Sequence, residues 1–270
     1  VLSEIVFSLI QRKRIAAADG SSMVTGLIIV MLMPVNAPMW LPCTAAVFAI
    51  MAAKMPFGAF GHTPFNPAAA GTAFTALCWP HLMFSYINVK TGLLPSFNDC
   101  TGEMVSSPAA VLKNGLKPDM YPLDMLWGVF EGPLGTTGIL IICACGLYLF
   151  IKRTANIEIT VPFLMAAALI AAFWPRIVCS PLTSIKYELM SGSLLFCSVF
   201  MVTDPVTSPG TKPARILYGL ICGALVMVFR RFGAYEQGAY FALLIANALA
   251  PQIDELFSGS FRNGDALYEK

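Results

Sequence analysis

The stretch Ser191–Pro209, SGSLLFCSVFMVTDPVTSP, decides how the rest of the chain is read. Its apolar run starts just after a glycine and stops abruptly at Thr203-Asp204-Pro205. A membrane helix needs about 20 apolar residues, and this run is shorter. Backbone breaks at membrane depth only where protein or a watery cavity satisfies its polar groups. An ionisable residue at such a break is a functional candidate, which singles out Asp204 with its neighbour Thr203. An earlier stretch has the same design: Asp19–Pro38, DGSSMVTGLIIVMLMPVNAP, is a short apolar run that begins after glycine and stops at proline.

The likeness continues along the chain. Phe57-Gly58-Ala59 and Phe232-Gly233-Ala234 lie 175 residues apart, close to the 172 that separate Gly20 from Gly192. Chance similarity of two apolar stretches is the plain alternative to an internal repeat. Paired broken helices in two halves point to an inverted-repeat membrane fold with its site where the halves meet.

Composition agrees with a membrane. The 270 residues are 57% hydrophobic and only 12% charged, about half the charge of a soluble domain, and mean hydropathy is +0.72. The fold class expected is an all-α integral membrane protein. A net charge of +2 without a basic tract gives no reason to expect nucleic acid. Cys43, Cys78, Cys143, Cys145, Cys179, Cys197 and Cys222 lie in or beside apolar segments and read as small buried hydrophobes. Cys143 and Cys145 would point about 200° apart on a helix, which does not suit a metal pair. Cys100 reads as a free loop thiol.

Val1–Ile10 reads as the end of a membrane helix, N-terminally truncated, that runs into the basic stop Gln11-Arg12-Lys13-Arg14 on a cytoplasmic side. Further helices are expected at about 22–33, 38–53, 67–86, 130–151, 158–174, 187–199, 214–229 and 237–254. That makes about nine to ten TM helices, counting one upstream, in two inverted five-helix repeats with broken helices. Residues 1–87 form the first repeat, 88–124 an extracytoplasmic loop, 125–254 the second repeat and 255–270 a polar cytoplasmic tail. Lys152-Arg153, Lys212 and Arg215 fall inside by this count, whereas Arg230 and Arg231 fall outside, against the positive-inside trend. The membrane expected is the cell inner membrane.

No nucleophilic triad, phosphate loop or zinc spacing stands out, so no catalytic residue and no metal site is assigned. His62 in a Gly/Pro loop and His81 after Trp79-Pro80 read as helix-end histidines more readily than as proton carriers. Glu131 is expected to begin a membrane helix, where an acid suits the positive dipole end.

Four motifs, in order along the chain, carry a resemblance. They are Asp19-Gly20-Ser21-Ser22-Met23-Val24-Thr25-Gly26-Leu27 with Pro34, Phe65-Asn66-Pro67-Ala68, Thr203-Asp204-Pro205-Val206-Thr207-Ser208-Pro209, and Asn247-Ala248-Leu249-Ala250-Pro251-Gln252-Ile253-Asp254. Together they resemble the D subunit of Rnf complexes and the B subunit of Nqr complexes, with the Rnf side closer. The resemblance implies a subunit of an ion-translocating electron-transfer complex. In that family electrons pass between ferredoxin and a nicotinamide cofactor, coupled to sodium or proton movement. It also implies FMN joined by a phosphoester to a Thr in an S-G-A-T motif. Aligning Pro108 places Ser107 at that acceptor, with Ser106 and Thr101 as lesser candidates. Val105-Ser106 replaces the family's Gly-Ala, a departure that removes small residues from the acceptor's approach. A second flavin, non-covalent riboflavin, belongs to the wider family, and no residue here identifies its place.

Asp204 and Thr203 are the expected ion pathway, taking up a proton or holding Na⁺ together with carbonyls. Asn66, in the facing loop, is expected to offer an amide oxygen or to bind flavin. The chain has neither a dinucleotide fingerprint nor cysteines spaced for an iron–sulfur cluster, so other subunits of the complex, membrane and peripheral, must hold those parts. The second reading is a channel-like or transporter-like subunit without flavin, conducting ions or serving as scaffold.

Overall fold

The computed structural model describes residues 1–10, 20–57, 63–88 and 104–265. Asp19, Arg12-Lys13-Arg14, Gly58, Ala59, His62, Cys100 and Thr101 lie outside the described residues. The expectations placed on them end there. The rest is mostly helical. Among the described residues, strand is confined to one antiparallel pair, β1 (Tyr86–Ile87) with β2 (Met104–Val105).

The first helix, α1, covers Leu2–Ile10. The two short apolar runs begin alike. Gly20 has φ 70° and precedes α2 (Ser21–Met31), and Gly192 has φ 62° and precedes α11 (Leu194–Phe200). Both glycines take the left-handed conformation that costs other residues energy, so each fixes an abrupt helix start. The expected 187–199 helix is therefore two helices, α10 (Pro181–Met190) and α11, parted at Ser191–Ser193. Gly192 is the physical reason for the difference.

Other boundaries also moved. α3 (Trp40–Phe48) continues as a π-helical turn over Ala49–Lys54 and a short 3₁₀ turn at Met55–Phe57. α4 (Pro67–Cys78) starts with Pro67 in the first turn and Asn66 as N-cap, whose side chain accepts from Ala69 N at 3.1 Å. It stops at Trp79, ahead of Pro80 and the brief α5 (Pro80–Met83), so one helix over 67–86 does not form. The polar loop holds α6 (Pro108–Lys113) and α7 (Pro122–Trp127). α8 spans Ile139–Ile151, not 130–151, because Gly132-Pro133 and Gly138 interrupt the run. Glu131 is thus buried in an irregular segment and does not begin a helix.

α9 (Ile157–Phe173) and α12 (Lys212–Phe232) fall close to expectation. α13 runs from Ala239 to Asp265, so the expected polar tail continues as helix past Pro251. The core joins α4, α9, α11, α12 and α13 through Ala73, Ala76, Phe163, Leu194, Tyr218, Cys222 and Leu243. Only Cys197 and Cys222 are buried among the described residues; Cys43, Cys78, Cys143 and Cys145 are exposed on outward helix faces, which corrects their reading as buried hydrophobes.

Two helical spans, Trp40–Phe57 and Lys212–Phe232, are long and apolar enough to cross a membrane by themselves. Four apolar helices of 10–17 residues accompany them among the described residues. Ile141, Leu147, Ile151, Leu169 and Phe173 project outward from α8 and α9. Apolar side chains turned outward along two helices suit a non-aqueous cover.

Candidate functional site

The two short apolar runs meet at a cavity of about 480 Å³ whose lining includes Ser21, Lys54, Asn66, Thr203 and Asp204. Pro205 ends the run after α11 and turns the chain, and the Asp204 carboxylate then folds over the turn. Its Oδ1 accepts from Val206 N at 3.2 Å and its Oδ2 from Thr207 Oγ1 at 3.2 Å. This is the local bonding that makes aspartate a good turn former. From the first half, Asn66 Nδ2 donates to Met201 O at 3.2 Å and reaches Asp204 Oδ2 at 3.5 Å. The Phe65-Asn66-Pro67-Ala68 and Thr203-Asp204-Pro205 motifs are thus brought together.

The bonds at two expected ion-pathway residues are specific. The Asn66 amide oxygen caps α4, accepting from Ala69 N, and its nitrogen faces Asp204. Thr203 Oγ1 donates back to Val199 O at 2.6 Å, one turn back along its own run. The hydroxyl against Asp204 belongs to Thr207, four residues further along the same motif.

Lys54 closes another side of the cavity. Its Nζ lies 2.8 Å from Glu4 Oε1, 2.7 Å from Ser21 Oγ and 2.9 Å from Ser22 Oγ, and Ser22 Oγ also donates to Glu4. Both charged side chains are buried. Pairing and hydrogen bonding are what allow buried charges to persist. The serines after Gly20 are thereby explained: the first helix start is tied to the π-helical end of the Trp40–Phe57 span. Sequence reasoning missed Glu4 and Lys54, since one lies in the first apolar segment and the other at a span end.

The last motif is structural. Asn247 Oδ1 accepts from Tyr218 OH at 2.6 Å, joining α13 to α12. Asp254 accepts from Gly210 N at 3.0 and 3.1 Å, at the start of α12. A carboxylate there complements the helix's positive end.

The flavin-acceptor candidates form a second group. Ser107 is the N-cap of α6, accepting from Ala110 N at 3.1 Å, and is 2% exposed. Its Oγ donates to Glu236 Oε2 at 2.8 Å. Tyr86 OH donates to Glu236 Oε1 at 2.8 Å and accepts from Gln237 Nε2 at 3.0 Å. Ser106 beside it is exposed. Burial pushes the Glu236 carboxyl up from the ordinary glutamate value, against the hydrogen bonds of Ser107, Tyr86 and Gln237 and the charge of Lys113. The Ser107 hydroxyl thus sits against a carboxylate inside the protein.

Comparison with known proteins places the sequence in a family. A family model described as "NQR2, RnfD, RnfE family" matches residues 1–260. The D subunit of the Na(+)-translocating ferredoxin:NAD(+) oxidoreductase complex of Acetobacterium woodii is 31% identical over 257 residues, covering 94% of this chain and 76% of that protein. The D subunit of the ion-translocating oxidoreductase complex of Klebsiella pneumoniae is 31% identical over 270 residues, covering 87% and 76%. Its counterpart in Escherichia coli strain SE11 is 29% identical over 289 residues, covering 94% and 81%.

Proposed function

The chain belongs to the NQR2, RnfD, RnfE family, and from that premise we propose that it is the D-type subunit of an ion-translocating oxidoreductase complex in a cell inner membrane. The complex moves electrons between ferredoxin and a nicotinamide cofactor, and this subunit couples them to Na⁺ or H⁺ movement. Its helices form nine or ten membrane segments in two inverted repeats, with the loop bearing Ser107 on the extracytoplasmic side. Other membrane and peripheral subunits hold the iron–sulfur and remaining flavin centres.

One observation carries this reading. The Asp204 carboxylate at the second-half break faces the Asn66 cap of the first half across a cavity lined by both. A carboxylate at the meeting point of two broken halves is placed to bind and release a small cation. Thr207, Val206 N and Asn66 hold it in one orientation while leaving lone pairs toward the cavity. Ser107 is the residue to hold FMN covalently. When bound, the flavin supplies the electron relay, and the protein supplies position and dielectric.

Asp204→Asn in the assembled complex tests the ion role. Ion uptake into vesicles is expected to fall about tenfold or more, the scale of one lost charged partner, while electron transfer to an artificial acceptor continues. Sodium dependence of the residual uptake tells a Na⁺ site from a proton site. Full ion uptake by the variant removes Asp204 from the pathway.

A further inference from the structure

Stability does not explain the buried pair of Glu4 and Lys54. An apolar pair of similar volume is often as stable or more so, because the attraction of two buried charges offsets their lost hydration only in part. Lys54 nevertheless stands buried at the end of the π-helical turn Ala49–Lys54. A π turn fits an extra residue into a helix and occurs frequently at functional sites. Here it ends on a charge that lines the same cavity as Asp204.

The pair is polarised toward that cavity. Lys54 belongs to the lining, whereas Glu4 lies behind it on α1, outside the lining. An ammonium has three N–H donors. Those of Lys54 go to Glu4 Oε1 at 2.8 Å, Ser21 Oγ at 2.7 Å and Ser22 Oγ at 2.9 Å. Ser22 in turn donates to Glu4. With all three donors engaged, Lys54 is held away from Asp204 as a fixed positive wall. Among the described residues of the lining, Asp204 is the one carboxylate and Lys54 the one cationic side chain. The remaining polar lining is hydroxyls and the Asn66 amide, which carry no net charge.

We infer that Lys54 is a specificity-determining residue that restricts the cavity to monovalent cations, an inference that rests on the reading of Asp204 as an ion site. A bound cation is attracted by Asp204 and repelled by Lys54, both in proportion to its charge. The penalty for leaving water rises with the square of that charge, as Born solvation requires. Divalent sites meet the penalty by gathering six or more oxygen ligands, carboxylates among them, or by keeping several waters. One carboxylate opposed by an ammonium suits a single positive charge and leaves a double one undercompensated. Glu4 weakens the field of Lys54 without cancelling it, since the ammonium is the charge nearer the cavity.

The test uses the assembled complex in sealed vesicles. Redox-driven ion uptake is measured against rising Ca²⁺ on the face from which ions are taken up. Glu4→Gln with Lys54→Met removes both charges, so neither is left buried without its partner. Lys54→Arg keeps the positive charge. In the double variant, half-inhibition is expected at about tenfold lower Ca²⁺ than in the native complex, the order of one unit charge acting at an intermediate dielectric. Lys54→Arg is expected to keep the native midpoint, which a role in bond geometry would not give. If the double variant does not fold, Thr154→Asp decides. Thr154 is an exposed residue of the same lining. A carboxylate there opposes Lys54 and should lower the Ca²⁺ midpoint too.

A double variant with the native midpoint overturns the inference. So does a Lys54→Arg midpoint as low as the double variant's, or an unmoved midpoint in Thr154→Asp. Full ion uptake by Asp204→Asn is a separate failure: it removes the ion reading of Asp204 itself, and the inference with it.

Discussion

Replacing Glu188 by alanine is expected to destabilise the protein by about 3–5 kcal/mol, the cost of leaving buried charge without its partner. Glu188 receives a fork from Arg176, with Nε at 2.5 Å and Nη2 at 2.7 Å, and Arg230 Nη1 at 3.2 Å. All three side chains are buried. Arg230 does more than pair. It donates to Glu188 O at 2.6 Å and to Ser191 O at 2.7 Å. Those carbonyls belong to the end of α10, where the break at Gly192 leaves the last carbonyls without helical partners. Arg230 therefore satisfies the broken backbone that the Ser191-Gly192-Ser193 stretch creates. With Glu188→Ala, two guanidinium groups stay buried with no carboxylate, and the break loses its anchor. The melting temperature in detergent, followed by size exclusion, should drop by on the order of 10 °C. Replacing Arg176, Glu188 and Arg230 together by methionine should recover part of the Coulombic loss. It should not restore the capping of α10. A single variant as stable as the native chain would show that the cluster does not hold the break.

The second large effect is expected at the contact of α9 with α12. A Cβ on Gly219 would lie 2.5 Å from Ile159 O, and one on Gly223 would come closer still to Phe163 O. Both obstacles are backbone atoms, so no side-chain rotation can relieve them. Small residues spaced by four let helix backbones approach closely, the usual means of association in an apolar medium. Gly223→Val should cost about 3 kcal/mol or more, at the upper end for overpacking. Loss of the monodisperse folded peak after detergent extraction would report it. Gly26 is the control: it sits inside α2 with open space where its Cβ would point. Gly26→Ala should be neutral or stabilising by up to about 1 kcal/mol. Equal behaviour of the two variants would contradict close packing at Gly223.

Much of this was legible in the sequence because it rests on local rules. Gly20 and Gly192 before apolar runs, Pro205 after one, and Asn66-Pro67 at a helix start each act within a few residues of themselves. The pairing of Asn66 with Asp204 was foreseen as a meeting of two loops, but not its polarity. Which end of an amide faces a carboxylate depends on the cap that uses its other end. Thr207 was hidden behind Thr203 for a similar reason, since a hydroxyl in a helix often returns to the carbonyl one turn back.

What the sequence could not carry is the long-range pairing of charge. Arg230 and Arg231 looked like misplaced topology signals. Arg230 proves to be an internal ligand of a broken helix, and Arg231 lies over the Trp174 ring at 4.3 Å while donating to Trp174 O. Glu236 was passed over because no local pattern ties it to a serine 129 residues away. Helix lengths erred where glycine and proline cut apolar runs, as at Gly132-Pro133 and Trp79-Pro80. The exposed cysteines of α3, α4 and α8 were misread because an apolar segment in a membrane protein turns much of its surface outward.

The central claim is that this chain carries a flavin joined to Ser107. The intact mass of the denatured chain, purified from its native membrane, tests it most directly when followed by peptide mapping. A mass gain of one FMN, fluorescent after denaturation and mapped to Ser107, is the predicted result. An unmodified mass, from a host that flavinylates other proteins, would contradict the claim and leave an ion-conducting or scaffolding protein centred on Asp204.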